Sequence, residues 1–150
     1  MNIKQIAGAG DKIIGFTLPF ALAGIILNVL HPQWFKMNTG LTGVVIGSVL
    51  LVLGIPFWLI SVVQMLKYVP HNKLITKGPF LLVLHPIYTS VALLVIPGLT
   101  FVFDTWVGFL IGAILYIISR IFRGREDKKL EELFTKEYDI YRSKVIIPWL

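Results

Sequence analysis

The chain has 150 residues, of which 56% are apolar and only 15% charged, and it has no cysteine. A soluble domain carries roughly 45–50% apolar and 25% charged residues, so residues 1–150 read as one integral membrane domain; the missing thiols exclude disulfides, thiolate nucleophiles and cysteine–metal sites. The net charge of +6, from 14 Lys and Arg against 8 Asp and Glu, excludes nucleic acid as a partner by its placement. Every basic residue except Lys36 falls on one side of the apolar segments, the positive-inside pattern of a multi-pass protein.

Residues 1–12 form a short polar lead with Lys4, Asp11 and Lys12, and the apolar run Ile13–Leu30 follows. Its length approaches the ~20 residues that cross a ~30 Å hydrocarbon core. The run is long for a signal-peptide h-region and lacks a clear small-residue cleavage site, so it is a first span, which Pro19 should kink. The loop His31–Asn38, HPQWFKMN, places Trp34 and Phe35 as interfacial anchors and His31 as a turn residue without chemistry.

Thr39–Leu66 is apolar over about 28 residues, about 42 Å as a helix, so it must tilt, bend or protrude, and Gly54 and Pro56 offer a place to bend. Gln64, near its end, faces a cavity or the headgroups. The loop Lys67–Lys77, KYVPHNKLITK, carries three lysines and reads as cytoplasmic. Next comes Gly78–Ser90, GPFLLVLHPIYTS. Gly-Pro marks a turn, the residue before each proline is held out of the α region, and Pro86 suits the first turn of a helix. His85 is therefore expected at a helix mouth.

Pro86–Phe103 is a third apolar segment interrupted at Pro97-Gly98, which makes it either a kinked span or a re-entrant hairpin. After a turn at Asp104, a fourth span from Thr105 to about Phe122 passes without a proline stop into RGREDKKLEELFTKEYDIYRSK. There Leu130, Leu133, Phe134, Tyr138 and Tyr141 recur at helical spacing among Lys128, Lys129, Glu131, Glu132 and Lys136, the pattern of an amphipathic interfacial helix. The expected fold is all-α, with four spans and that C-terminal helix. Lys and Arg number two before the first span, one in the 31–38 loop, three in the 67–77 loop and eight from Arg120 onward. That distribution puts both termini, the His85 loop and the charged tail on the cytoplasmic side.

Two clusters could carry chemistry. His85 and Tyr88, three residues apart, occupy neighbouring faces of a first helical turn, where free N–H groups favour anionic or carbonyl ligands; the plainer reading is a turn histidine that hydrogen-bonds locally. Arg120, Arg123 and Asp127 fall at i, i+3 and i+7, with Glu126 beside the stripe. Snorkelling arginines followed by surface ion pairs explain that pattern equally well, whereas carboxylates there would also suit ribose hydroxyls or a sulfonium charge. The three histidines have no HxxxH or HExxH spacing, so no metal site is expected. No Ser-His-Asp order, phosphate loop or dinucleotide fingerprint is present.

Together the two stretches resemble the isoprenylcysteine carboxyl methyltransferase and phospholipid methyltransferase group of membrane enzymes. In that group a loop like LVTxGPYRYVRHPxY precedes one span and a tail like RxxxEExxLxxxFGxxYxxYxxxV follows the last. Here the first appears as LITKGPFLLVLHPIY, Leu74–Tyr88, and the second as EDKKLEELFTKEYDIYRSKV, Glu126–Val145. The resemblance implies S-adenosylmethionine as cofactor, held by Leu74, Ile75, Gly78, Phe80, His85, Pro86, Tyr88 and Glu126, with Gln64 as a further contact. It implies Arg123 and Glu126 as catalytic residues. The acceptor it implies is lipophilic or lipidated: a prenylcysteine carboxylate, a lipid amine or a thiol, met among membrane lipids.

The chain departs from the group's pattern at several positions. Leu81 and Leu84 stand where the group has arginines, Asp127 where it has a second glutamate and Thr135 where it has a glycine. The group's acceptor arginine falls at the register of Phe122, beside Arg123. The leucines also fit a non-catalytic module of the same fold, and the His-Pro-x-Tyr loop is similar to sterol reductase C-terminal regions, which would require NADPH and further spans.

Overall fold

The computed structural model describes residues 8–150, so Lys4 of the polar lead lies outside the described residues. Among these the elements are helical, and the only pairings of extended backbone are the isolated bridges Lys36–Thr105 and Val83–Ile147. In chain order they are α1 (Gly8–Leu30), α2 (Pro32–Phe35), α3 (Gly40–Tyr68) with a 3₁₀ turn Val69–His71, α4 (Pro79–Leu82), α5 (Pro86–Val102), α6 (Val107–Phe134) and α7 (Lys136–Lys144). α1, α3 and α6 are each long and apolar enough to cross a membrane. Their outer faces carry Ile14, Phe16, Leu41, Val52 and Ile121, all more than half exposed, a cost that water would impose and lipid does not.

α5 settles the alternative left by Pro97-Gly98, because it is one helix and not a hairpin. It starts beside His85 and ends at the turn before Asp104, so it runs from one end of the bundle to the other although it is shorter than the three long helices. A π turn, Val91–Val95, makes this possible: the Ile96 N–H reaches back five residues to the Val91 carbonyl. That wider turn accommodates a proline ring that would otherwise meet the carbonyl one turn before it.

α1 packs along α6 and α3 along α5. Where α3 crosses α5 the backbones nearly touch, since a Cβ on Gly47 would lie 2.6 Å from the Gly98 carbonyl oxygen. Small residues at the crossing allow van der Waals contact along the whole seam, the main attraction available between helices in lipid.

At one end of the bundle the 31–39 loop meets the 103–106 turn. The Asp104 carboxylate accepts from the Asn38 N–H at 3.2 Å, and from the Thr39 N–H and hydroxyl at 2.8 Å each. The Thr39 bonds hold the Asp104 carboxyl below its ordinary range. Trp106 donates its indole N–H to the Trp34 carbonyl at 3.0 Å.

At the opposite end the expected amphipathic helix is present in two pieces, with a changed partner. α6 continues past Phe122 to Phe134, and the chain then turns at Thr135, φ 40°, into α7. A positive φ favours glycine and strains a β-branched residue, which accounts for the glycine of the motif at this register. α7 turns Tyr138 and Tyr141 into a buried cluster with Leu84 and Val145, so these two aromatics face protein.

Candidate functional site

The His-Pro pair does what its chemistry dictates: His85 precedes α5 at φ −122°, ψ 66°, with Pro86 in the first turn. This aims the imidazole across the bundle at two consecutive residues of α6. Nε2 lies 3.0 Å from Asp127 Oδ1 and Nδ1 lies 3.6 Å from Glu126 Oε2, with the ring only 8% exposed. An ionised Asp127 can only accept, so the short bond places the ring hydrogen on Nε2. Side chains of consecutive helical residues diverge by about 100°, and a ring entering edge-on between them can address both. The polar edge of His85 is thereby spent on the two carboxylates.

Tyrosines complete the cluster. The Tyr138 hydroxyl donates to the same Asp127 oxygen at 2.9 Å, and the Tyr88 hydroxyl donates to Glu126. Tyr141 donates to the Phe80 carbonyl at 2.8 Å, tying α7 to the loop that precedes His85. Burial, and next the nearby Asp127 charge, push the Tyr138 and Tyr141 hydroxyls well above the usual phenol range, so both remain donors. The start of α1 also reaches this cluster, because a Cβ on Gly10 would lie 3.4 Å from the Tyr88 hydroxyl.

Above these groups lies a cavity of about 440 Å³. Of the residues singled out in the sequence, Leu74, Ile75, Phe80, His85, Pro86, Tyr88 and Glu126 line it, joined by Lys73, Lys129 and Leu133. Gln64 and Gly78 are not in that wall. The Gln64 amide packs beneath Gly78, where a Cβ would come within 2.9 Å of its nitrogen, and its buried oxygen has no hydrogen-bond partner among the described residues. Gly78 has φ 59°, which a glycine adopts readily. These two residues thus shape the back of the loop whose front lines the cavity.

Arg123 also stands outside this cavity. With Arg120 and Arg142 it lines a second one of about 590 Å³, which shares Leu84 and Asp127 with the first. Leu84, at a position that is arginine in the motif, is buried in the tyrosine cluster, and these arginines lie around the cavity beside it.

Several members of the site were not singled out as functional in the sequence. The Asp127–His85 and Asp127–Tyr138 bonds join residues 42 and 11 positions apart. Tyr138 and Tyr141 stood out through their spacing, yet that spacing does not distinguish a lipid-facing stripe from a protein-facing one. The C-terminal residues Ile146–Leu150 gave no motif, and here they run beside Leu81–Leu84, with the Ile146 and Ile147 N–H groups bonded to the Leu81 and Leu82 carbonyls at 3.0 and 2.9 Å.

A family model described as phospholipid methyltransferase matches residues 35–137 of this chain, more than half its length. The match takes in the His85 loop and the Glu126-Asp127 pair. No curated protein and no solved structure matches the chain.

Proposed function

The chain belongs to the phospholipid methyltransferase family of membrane proteins, and from that premise we propose that it transfers the methyl group of S-adenosylmethionine to a lipophilic acceptor. The observation that carries this reading is the junction of the two motifs: His85 and Tyr88 from one meet Glu126 and Asp127 from the other, in the wall of one cavity. Its volume lies within the roughly 300–1,000 Å³ of small-molecule sites.

The donor set suits the cofactor. Leu74, Ile75, Phe80 and Leu133 provide apolar wall for a purine, and Glu126 and Asp127 provide acceptors for ribose hydroxyls and for positive charge. Lys73 provides a cation for a carboxylate. When bound, the cofactor supplies a methyl group already activated by its positive sulfur. The protein's share is then largely positioning in a site with little water. His85 and Tyr138 hold Asp127, and Tyr88 holds Glu126 beside the imidazole ring, so the carboxylates need not reorganise. Arg123, from the adjoining cavity, serves the acceptor side. The asymmetry of Lys and Arg supports a topology with both termini and the cavity on the cytoplasmic face and the acceptor entering from the lipid.

The test is transfer of labelled methyl from S-adenosylmethionine, using purified protein in nanodiscs with phospholipid amines, prenylcysteine and lipophilic thiols offered in turn. Incorporation into one acceptor class, lost in Glu126→Gln, is expected. Cofactor binding without incorporation into any of them would mark a non-catalytic module, and NADPH oxidation in place of methyl transfer would mark a reductase.

A further inference from the structure

The second cavity contains an arrangement that the reading above leaves unexplained. Arg120 and Arg123, one turn apart on α6, both donate to one acceptor, the main-chain carbonyl of Trp149; the Arg123 bond is 2.8 Å. Arg123 is only 8% exposed. Among the described residues, neither guanidinium has a carboxylate within ion-pair distance. Arg142 lines the same space from α7, and the two acids there are Asp127 and Asp139. Asp127 is already engaged by His85 and Tyr138.

A buried guanidinium whose acceptor is a neutral carbonyl has no opposing charge beside it, and a buried charge left without a counter-charge is costly. A guanidinium is also built to meet two oxygens of one planar or tetrahedral anion. The Trp149 carbonyl reaches this position on a narrow strap. After α7 the chain returns along Leu81–Leu84 through the Ile146–Leu81, Ile147–Leu82 and Leu84–Leu150 main-chain bonds, and the two arginines fasten its Trp149 carbonyl.

We infer that the cavity beneath this strap is an oxyanion site, in which Arg120, Arg123 and Arg142 take a phosphate or carboxylate group, and that the Trp149 carbonyl competes for the same donors. The strap is therefore a lid whose release is coupled to anion binding. Assignment of the anion to the methyl acceptor rests on the methyltransferase reading; the anion site itself does not. If both hold, the charged end of the acceptor sits on the far side of Leu84 and Asp127 from the cofactor, and its reactive atom lies toward Glu126.

The experiment is native mass spectrometry of the full chain in neutral detergent, comparing retention of phosphatidic acid with retention of phosphatidylcholine. Preference for phosphatidic acid is expected, with a loss of about tenfold in Arg120→Gln and in Arg123→Gln. Arg120 is exposed, so Arg120→Gln keeps the test decisive should Arg123→Gln fold poorly. Ile147→Pro removes one N–H that fastens the strap, and deletion of residues 146–150 removes the strap itself; each should raise retention severalfold. Inorganic phosphate that competes at equal concentration would support the site and assign it a soluble anion, whereas weak competition would support a lipid headgroup. Equal retention of the two lipids, or retention unchanged in both arginine variants, would overturn the anion site. No gain from either strap variant would overturn the lid. A separate titration with S-adenosylmethionine keeps the two readings apart: anion binding without cofactor binding defeats the methyltransferase reading alone, and the reverse defeats this one alone.

Discussion

His31-Pro32 and His85-Pro86 are the same dipeptide in nearly the same conformation, φ −134°, ψ 59° and φ −122°, ψ 66°, each histidine capping a helix that begins with proline. They sit at opposite ends of the bundle. His31 stacks on Trp34 with ring centroids 4.4 Å apart, a local contact three residues away. His85 is buried against two consecutive carboxylates of α6, of which Asp127 lies 42 positions further along the chain. Local sequence therefore sets the turn, and the tertiary partner decides whether the turn becomes a site. At the other end the carboxylate, Asp104, is bound to the Asn38 and Thr39 backbone rather than to the histidine. One end uses an acid to close a loop, and the other uses two acids to line a cavity.

The largest expected effect separates the two histidines. His85→Ala leaves Asp127 without its imidazole donor and Glu126 without the ring beside it, which costs about 1–3 kcal/mol and lowers cofactor affinity roughly 10- to 100-fold. His31→Ala, near the surface, should change it by about twofold or less. Equal effects in a binding titration would dissolve the distinction.

Tyr138→Phe removes one bond to Asp127 and keeps the ring that packs on Leu84. A loss of about 1 kcal/mol in stability is expected, with a similar weakening of the cofactor site, about fivefold. Thermal unfolding in detergent reads the first and calorimetry the second. Stability lost without affinity would make Tyr138 a packing residue only.

Backbone strain also differs between the ends. The non-glycine residues with positive φ at the Asp104 end are Asn38 and Asp104, which tolerate it, whereas the site end has, besides Asn72, the β-branched Thr135 at φ 40°. Thr135→Gly should raise stability by about 1 kcal/mol, measured as a higher midpoint of unfolding. A lower midpoint would show that the threonine side chain is needed at the α6–α7 turn.

The smallest effect belongs to Asp104→Asn, a residue type that suits φ 52° and retains the oxygen that accepts from Thr39 while removing the charge and the acceptor for the Asn38 N–H. The carboxyl of Asp104 titrates below its ordinary value in the fold. Its contribution is therefore full above the ordinary carboxylate range and is lost as pH falls through the folded value. The variant should melt slightly lower at neutral pH, and the difference should vanish in acid with cofactor affinity unchanged. A difference that grows in acid would reverse the sign and contradict the clamp.

Much of this was legible in the chain because its signals are local or compositional. Apolar runs marked α1, α3, α5 and α6, and His-Pro marked the helix mouth. What could not be read depends on long-range geometry. Nothing in the spacing of Tyr138 and Tyr141 says whether that face meets lipid or the Leu84 loop. Pro97-Gly98 looked like a break because a π turn, which repairs it, has no sequence signature in apolar residues. Arg123 stood one turn from Glu126 and Asp127 along α6, yet its guanidinium turns into a different cavity, toward a strap with no motif. Gln64 was legible as a polar residue at a span end that would face a cavity or the headgroups, but its place behind Gly78 follows from the loop's backbone.

The central claim is that the cavity between His85, Tyr88 and Glu126 holds S-adenosylmethionine, and calorimetric titration of the purified chain in nanodiscs tests it most directly. Saturable binding at one site per chain, displaced by S-adenosylhomocysteine and strongly weakened in Glu126→Gln, is the predicted result. No binding by the wild-type protein, or binding that Glu126→Gln leaves intact, would contradict it.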